Sequence, residues 1–147
     1  MNDIVVNGPE LIARAREAAR HAHAPYSRFA VGAAVLLVDG TVVTGANVEN
    51  ASYGLSLCAE TVAIATASAR GRLADVTAIG IVGGAMDGGG DAAVRPCGRC
   101  RQVLNEAAQM GGRDLAVLCA GLTGDVLEEH RLSDLLPYAF GPADLGL

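Results

Sequence analysis

The chain has 147 residues, of which 51% are hydrophobic, 18% charged and 3% aromatic, and it carries a net charge of −5. That length suits one domain around one core, residues 1–147, and leaves little room for a second. An acidic chain without a basic block argues against a grip on polymeric nucleic acid, and the longest strongly apolar run, Val31 to Val38, is far short of the ~20 residues of a membrane-spanning helix.

All 11 basic residues are arginine, which removes lysine Schiff-base chemistry and a P-loop lysine. The start of the chain, with Asp3 and Glu10 and no basic stretch before an apolar core, does not read as a secretory signal, so the cytoplasm is the expected compartment. Four cysteines in such a reducing setting read as metal ligands, redox groups or core thiols rather than a disulfide framework. The apolar excess points to buried subunit contacts.

From Pro9 to Ala24 the apolar positions Leu11, Ile12, Ala15, Ala18, Ala19 and Ala22 recur at helical spacing, which predicts a first amphipathic helix closed by His21 and His23. Two β-like runs follow, Phe29 to Val38 and Thr41 to Ala46, joined by Asp39-Gly40 as a tight hairpin. A polar stretch from Asn47 to Ser56 leads to an Ala-rich helix, Leu57 to Ala69, with Cys58 near its start. Val76 to Val82 reads as a strand, and Gly83 to Ala93 as a flexible surface loop. Pro96 suits the first turn of a helix running from Cys97 to Met110, which Gly111-Gly112 stops. Leu115 to Ala120 is a buried-strand candidate, Gly121 to Asp125 a turn, Val126 to Leu132 an edge strand carrying His130, and the tail begins with a short helix. This order argues for a three-layer α/β/α fold on a mixed five-stranded sheet.

Cys97 and Cys100, three residues apart at a helix start, can aim both sulfurs at one point, where the helix dipole and free N–H groups favour thiolates. Cys58 is placed the same way on another helix. Three converging thiolates would leave the fourth position of a tetrahedral zinc open, the mark of a catalytic site where zinc makes water acidic. Glu60, two residues after Cys58, is too close to be a comfortable ligand but able to face that water and move its proton. Three thiolates weaken the metal as a Lewis acid, so nearby cations matter, and Arg99 and Arg101 are the candidates in sequence. Competing readings are a structural four-cysteine zinc module using Cys119, a thioredoxin-like redox pair at Cys97 and Cys100, and a merely solvated Glu60.

Cys58-Ala59-Glu60 followed by Pro96-Cys97-Gly98-Arg99-Cys100 matches the zinc-deaminase signature in its three-cysteine form. Together with Pro25-Tyr26-Ser27-Arg28-Phe29-Ala30-Val31-Gly32-Ala33, Asn47-Val48-Glu49-Asn50-Ala51-Ser52-Tyr53-Gly54 and Cys100-Arg101-Gln102-Val103-Leu104, it resembles the small homotetrameric cytidine deaminases from about Pro25 to Phe140. The resemblance implies a cytidine-deaminase-like fold, one zinc ion per subunit, and hydrolysis of cytidine and 2′-deoxycytidine to the uridines with release of ammonia, with Glu60 as proton shuttle. It further implies that Phe29 packs against the nucleoside, Asn47 and Glu49 bind ribose hydroxyls, the backbone of Ala59 fixes the base, and Ala51, Tyr53 and Phe140 serve neighbouring active sites. Two departures stand out: Thr61 occupies a position where many members carry arginine, and the segment around Gly88-Gly89-Gly90 is long. Cys-Gly-Arg-Cys-Arg-Gln-Val-Leu also resembles deaminases of cytosine nucleoside antibiotics of the blasticidin S type, whereas Asn-Ala-Ser-Tyr-Gly favours plain cytidine.

Overall fold

The computed structural model describes residues 5–147, so that Asp3 lies outside the described residues. Helix α1, Gly8–Ala19, starts where the Asn7 side chain accepts the N–H of Glu10 at 3.1 Å and Pro9 takes a first-turn position. It ends at Ala19 rather than continuing to Ala24. The reason is tertiary: His23 donates its N–H to the carbonyl of Asn47 and accepts from the N–H of Glu49, a bridge that helical backbone could not make. His21 therefore sits in the turn after the helix and His23 in that bridge.

The hairpin forms as expected, with β1, Phe29–Leu37, antiparallel to β2, Val42–Ala46, and Gly40 at φ +87° in the turn. β1 also pairs antiparallel with β3, Val76–Ala85. β3 runs parallel to β4, Ala116–Gly121, and β4 antiparallel to β5, Glu128–Arg131, giving the order β2-β1-β3-β4-β5. A parallel pair needs a crossover, which α3, Gly98–Gly111, supplies between β3 and β4. Gly112 ends α3 with φ 64°, the left-handed cap that glycine accepts without strain. The edge strand is shorter than Val126 to Leu132, because Val126 and Leu127 remain exposed outside the ladder.

The two sheet faces carry separate cores. On one, Leu11, Ile12, Ala15 and Ala19 of α1 pack on Ala34, Ala78, Val82 and Leu118. On the other, α2, Ala59–Ala69, and α3 pack Ala63, Ile64, Ala67, Leu104 and Ala107 on Val35, Leu37, Ile79, Ile81 and Val117. This is the expected three-layer α/β/α arrangement on a mixed five-stranded sheet. The α2 helix approaches β2 closely enough that a Cβ on Gly45 would stand 2.6 Å from the amide nitrogen of Ala63.

A further expectation, the loop from Gly83 to Ala93, needs correction. Gly83, Gly84 and Ala85 belong to β3, and both glycines are buried, so the surface turn begins only at Met86. Two reasons apply: the Gly83 carbon faces Phe29 and Val94 side chains, and Gly84 faces Leu122, so small residues let the strand continue beneath its neighbours.

Candidate active site

Two backbone bonds between Val48 and Leu57, 3.0 and 2.9 Å long, fix the approach to α2. They place Cys58 at the N-cap, with α2 beginning at Ala59 rather than Leu57. Cys97 is the N-cap of α3, its sulfur accepting the N–H of Cys100 at 3.5 Å, and Pro96 stands just before the cap. The two helix starts face one another on the same side of the sheet. Cys58 Sγ and Cys97 Sγ are 3.9 Å apart, and these two with Cys100 Sγ lie within 4.8 Å of one another.

That spacing fits zinc, since sulfurs each ~2.3 Å from a tetrahedral ion stand about 3.8 Å apart. The donor chemistry fits as well. Burial, chiefly, pushes the Cys58 and Cys100 thiols up. Burial acts on Cys97 too, but hydrogen bonds from Cys100 outweigh it and leave that thiol lowered. A cation at the centre is what makes three thiolates stable together there. Cys119 is elsewhere: it lies in β4 opposite Ile81 and Glu128, where burial pushes its thiol up to about 12. The four-cysteine module thus lacks its fourth sulfur in this arrangement, and a redox pair would leave Cys58 unexplained.

Glu60, in the first turn of α2, is only 4% exposed, and burial raises its carboxyl above the usual range. It lines a cavity of about 290 Å³ together with Cys58, Ala59, Cys97, Asn47 and Glu49. A larger concavity of about 500 Å³ lies between α3 and the C-terminal segment, but it contains no sulfur or buried carboxylate, and chemistry favours the smaller one.

At the other wall, the Asn47 side chain completes the β1–β2 pairing: Oδ1 accepts from the N–H of Val31 at 2.9 Å and Nδ2 donates to the carbonyl of Phe29 at 2.9 Å. One N–H and one lone pair of the amide remain. Glu49 Oε1 accepts from the N–H groups of Tyr26 and Ser27 at 3.0 and 3.1 Å, leaving Oε2. Hydrogen bonding from Ser27 foremost holds its carboxyl below the usual range.

The other expected residues separate from this cavity. Phe29 stands over Gly83 and is 40% exposed, outside the lining. Ala51, Tyr53 and Phe140 are exposed, with the Tyr53 ring 5.5 Å from that of Tyr26. Arg99 is exposed, and Arg101 donates to the carbonyls of Pro96 and Leu135. The group beside a sulfur is Thr61, whose Oγ1 is 3.7 Å from Cys100 Sγ. The sequence reading missed Val31, Ser56, Leu57, Val94 and Arg95 as cavity walls. Arg95 and Val94 could have been found from their position immediately before Pro96-Cys97; the others carry no signal in type or spacing.

Residues 7–111 match the cytidine and deoxycytidylate deaminase zinc-binding region. The chain is 46% identical to a cytidine deaminase of Halalkalibacterium halodurans over 92% of this chain and 95% of that protein. It is 48% identical to a cytidine deaminase of Mycobacterium tuberculosis over 89% of this chain and 87% of that protein. Its structure is similar to the crystal structure of a cytidine deaminase from Burkholderia pseudomallei, with a TM-score of 0.79, 42% identity and coverage of 92% of this chain and 100% of that one. With this fold and this three-sulfur centre, the chain belongs to the zinc-binding cytidine and deoxycytidylate deaminase family.

Proposed function

We propose that this protein hydrolyses cytidine and 2′-deoxycytidine to the corresponding uridines, releasing ammonia, as one deaminase domain serving pyrimidine salvage in the cytoplasm. The observation that carries this reading is the buried carboxylate of Glu60 in one cavity with the sulfurs of Cys58 and Cys97, the third sulfur, Cys100, lying within 4.8 Å of both. Zinc, when held by Cys58, Cys97 and Cys100, supplies the Lewis acidity that makes water nucleophilic near neutral pH.

Glu60 is the catalytic residue of the chain. As water attacks C4, its carboxylate takes a proton and delivers it to ring N3. It then takes the second proton and gives it to N4, so that the C4–N4 bond breaks as ammonia leaves and the new C4–O bond becomes the carbonyl. Burial suits this role, because it raises the carboxyl above its usual range and so makes it a better proton acceptor. The Ala59 backbone, at the start of α2, fixes the base, while Glu49 Oε2 and the remaining groups of Asn47 meet the ribose hydroxyls. Phe29 packs at the rim, against the nucleoside as it enters.

Ala51, Tyr53 and Phe140 are proposed to complete neighbouring sites in a homotetramer. In support, Tyr53, Leu55 and Phe140 are 73%, 67% and 61% exposed and so open to contact with another subunit. Among the described residues no helix is long and apolar enough to cross a membrane. The test is steady-state assay of zinc-loaded protein with cytidine, deoxycytidine, cytosine and blasticidin S. Turnover of the first two with one ammonia per uridine supports the reading; preference for blasticidin S would replace it with the antibiotic-deaminase alternative.

A further inference from the structure

Arg95 is the one cation among the described residues that line the cavity, and its company there includes two carboxylates, Glu49 and Glu60. A half-exposed arginine ordinarily samples many rotamers, but this one is held in a fork. Its Nε donates to Glu128 Oε1 at 3.0 Å and its Nη2 to Glu128 Oε2 at 2.7 Å. Two parallel bonds to a planar carboxylate fix the guanidinium in position and in plane.

The acceptor is itself braced. Glu128 opens β5, and His130, two residues on and so on the same face of the strand, places Nε2 2.9 Å from Glu128 Oε1. The backbone that carries Arg95 is also anchored, with the N–H of Val94 donating to the carbonyl of Ala120 at 3.3 Å and Arg101 Nε donating to the carbonyl of Pro96 at 2.8 Å. The fork leaves Nη1 without that carboxylate, on a residue that lines the cavity.

We propose that Arg95 is a further substrate-binding residue, presented to the cavity by Glu128, with His130 as a second positioning residue behind it. Because Glu128 already matches the guanidinium charge, the ligand group need not be anionic. A neutral oxygen acceptor, carbonyl or hydroxyl, of a pyrimidine nucleoside is what such an N–H meets. This rests on the deaminase reading above, and it departs from the expectation that Arg99 or Arg101 supplies the nearby cation.

The test is a mutant cycle on the zinc-loaded protein with cytidine, comparing Arg95→Ala, Glu128→Gln and the double variant, with Arg95→Lys as the conservative change. Arg95→Ala and Glu128→Gln are each expected to raise KM about tenfold, the worth of one charge-assisted hydrogen bond, with the loss falling on KM rather than kcat. The double variant is expected to be no worse than Arg95→Ala, and Arg95→Lys to fail as a rescue because an ammonium cannot form the fork. Zinc stoichiometry and thermal midpoint should match the unsubstituted protein. An unchanged KM, additive losses, full rescue by lysine, or loss of zinc in the single variants would overturn the proposal. Failure of the unsubstituted protein to turn over cytidine would instead refute the deaminase reading, and this proposal with it.

Discussion

The hydroxyl of Thr61 lies 3.7 Å from the sulfur of Cys100, which is fully buried at the start of α3. A neutral hydroxyl thus stands beside the most enclosed of the three sulfurs, at the position where many similar deaminases carry arginine. A hydroxyl can stabilise a thiolate by hydrogen bonding without adding a buried charge. Thr61→Val is expected to release zinc to a chelator about tenfold faster, while Thr61→Ser stays near the original rate. Equal release rates for all three would show that the contact does nothing for the metal. Thr61→Arg brings a cation to the same place and is expected to keep the fold while shifting the activity profile to lower pH, since nearby positive charge favours deprotonated forms.

Glu60→Gln keeps the shape of the buried side chain and removes its ability to carry a proton. Retained zinc with turnover lowered about 10²–10⁴-fold is the expected result, measured by metal analysis and initial rates on the same sample. Near-normal turnover would remove Glu60 from the mechanism.

Cys119 packs fully buried in β4, outside the cluster of the other three sulfurs, so it is a core side chain rather than a ligand. Cys119→Ser is expected to bind one zinc per chain, at a modest cost in stability for placing a hydroxyl in the core. In the unsubstituted, metal-free protein, Cys119 should react with alkylating agents far more slowly than Cys97, which mass spectrometry of the labelled peptides would show. Loss of zinc on Cys119→Ser would restore the four-cysteine module.

Much of this architecture was legible because local chemistry and tertiary packing agree. Asp39-Gly40 sets the β1–β2 turn, Pro9 stands at the start of α1, and Cys58 and Cys97 sit at helix starts that the sequence places within a residue or two. The misjudged parts depend on distant partners. Ala22 continues the helical pattern of α1, yet His23 leaves it for Asn47 and Glu49. Gly83 and Gly84 carry loop composition, yet β1 pairs with both and β4 with Gly83. The role of Arg95 depends on Glu128, 33 residues away in the chain, and no local pattern connects the two.

The hairpin turn gives a prediction on acid stability. Asp39 is held at about 2, well below 3.8, by hydrogen bonds from Thr41 and by Arg72. Its folded pKa is depressed, so the stabilisation is present above the unfolded value and is lost as pH falls through about 2. Asp39→Asn should therefore lower the thermal midpoint slightly near neutrality, and the gap should close between about pH 4 and pH 2. A gap that stays constant over that window would remove the carboxylate from the turn's stability.

Zinc-edge X-ray absorption of the zinc-loaded protein tests the central claim most directly, because it counts the atoms around the metal. Three sulfurs at ~2.3 Å with one oxygen or nitrogen at ~2.0 Å is the predicted shell, a three-cysteine centre with its fourth position open to water. Four sulfurs would contradict it and make the site structural.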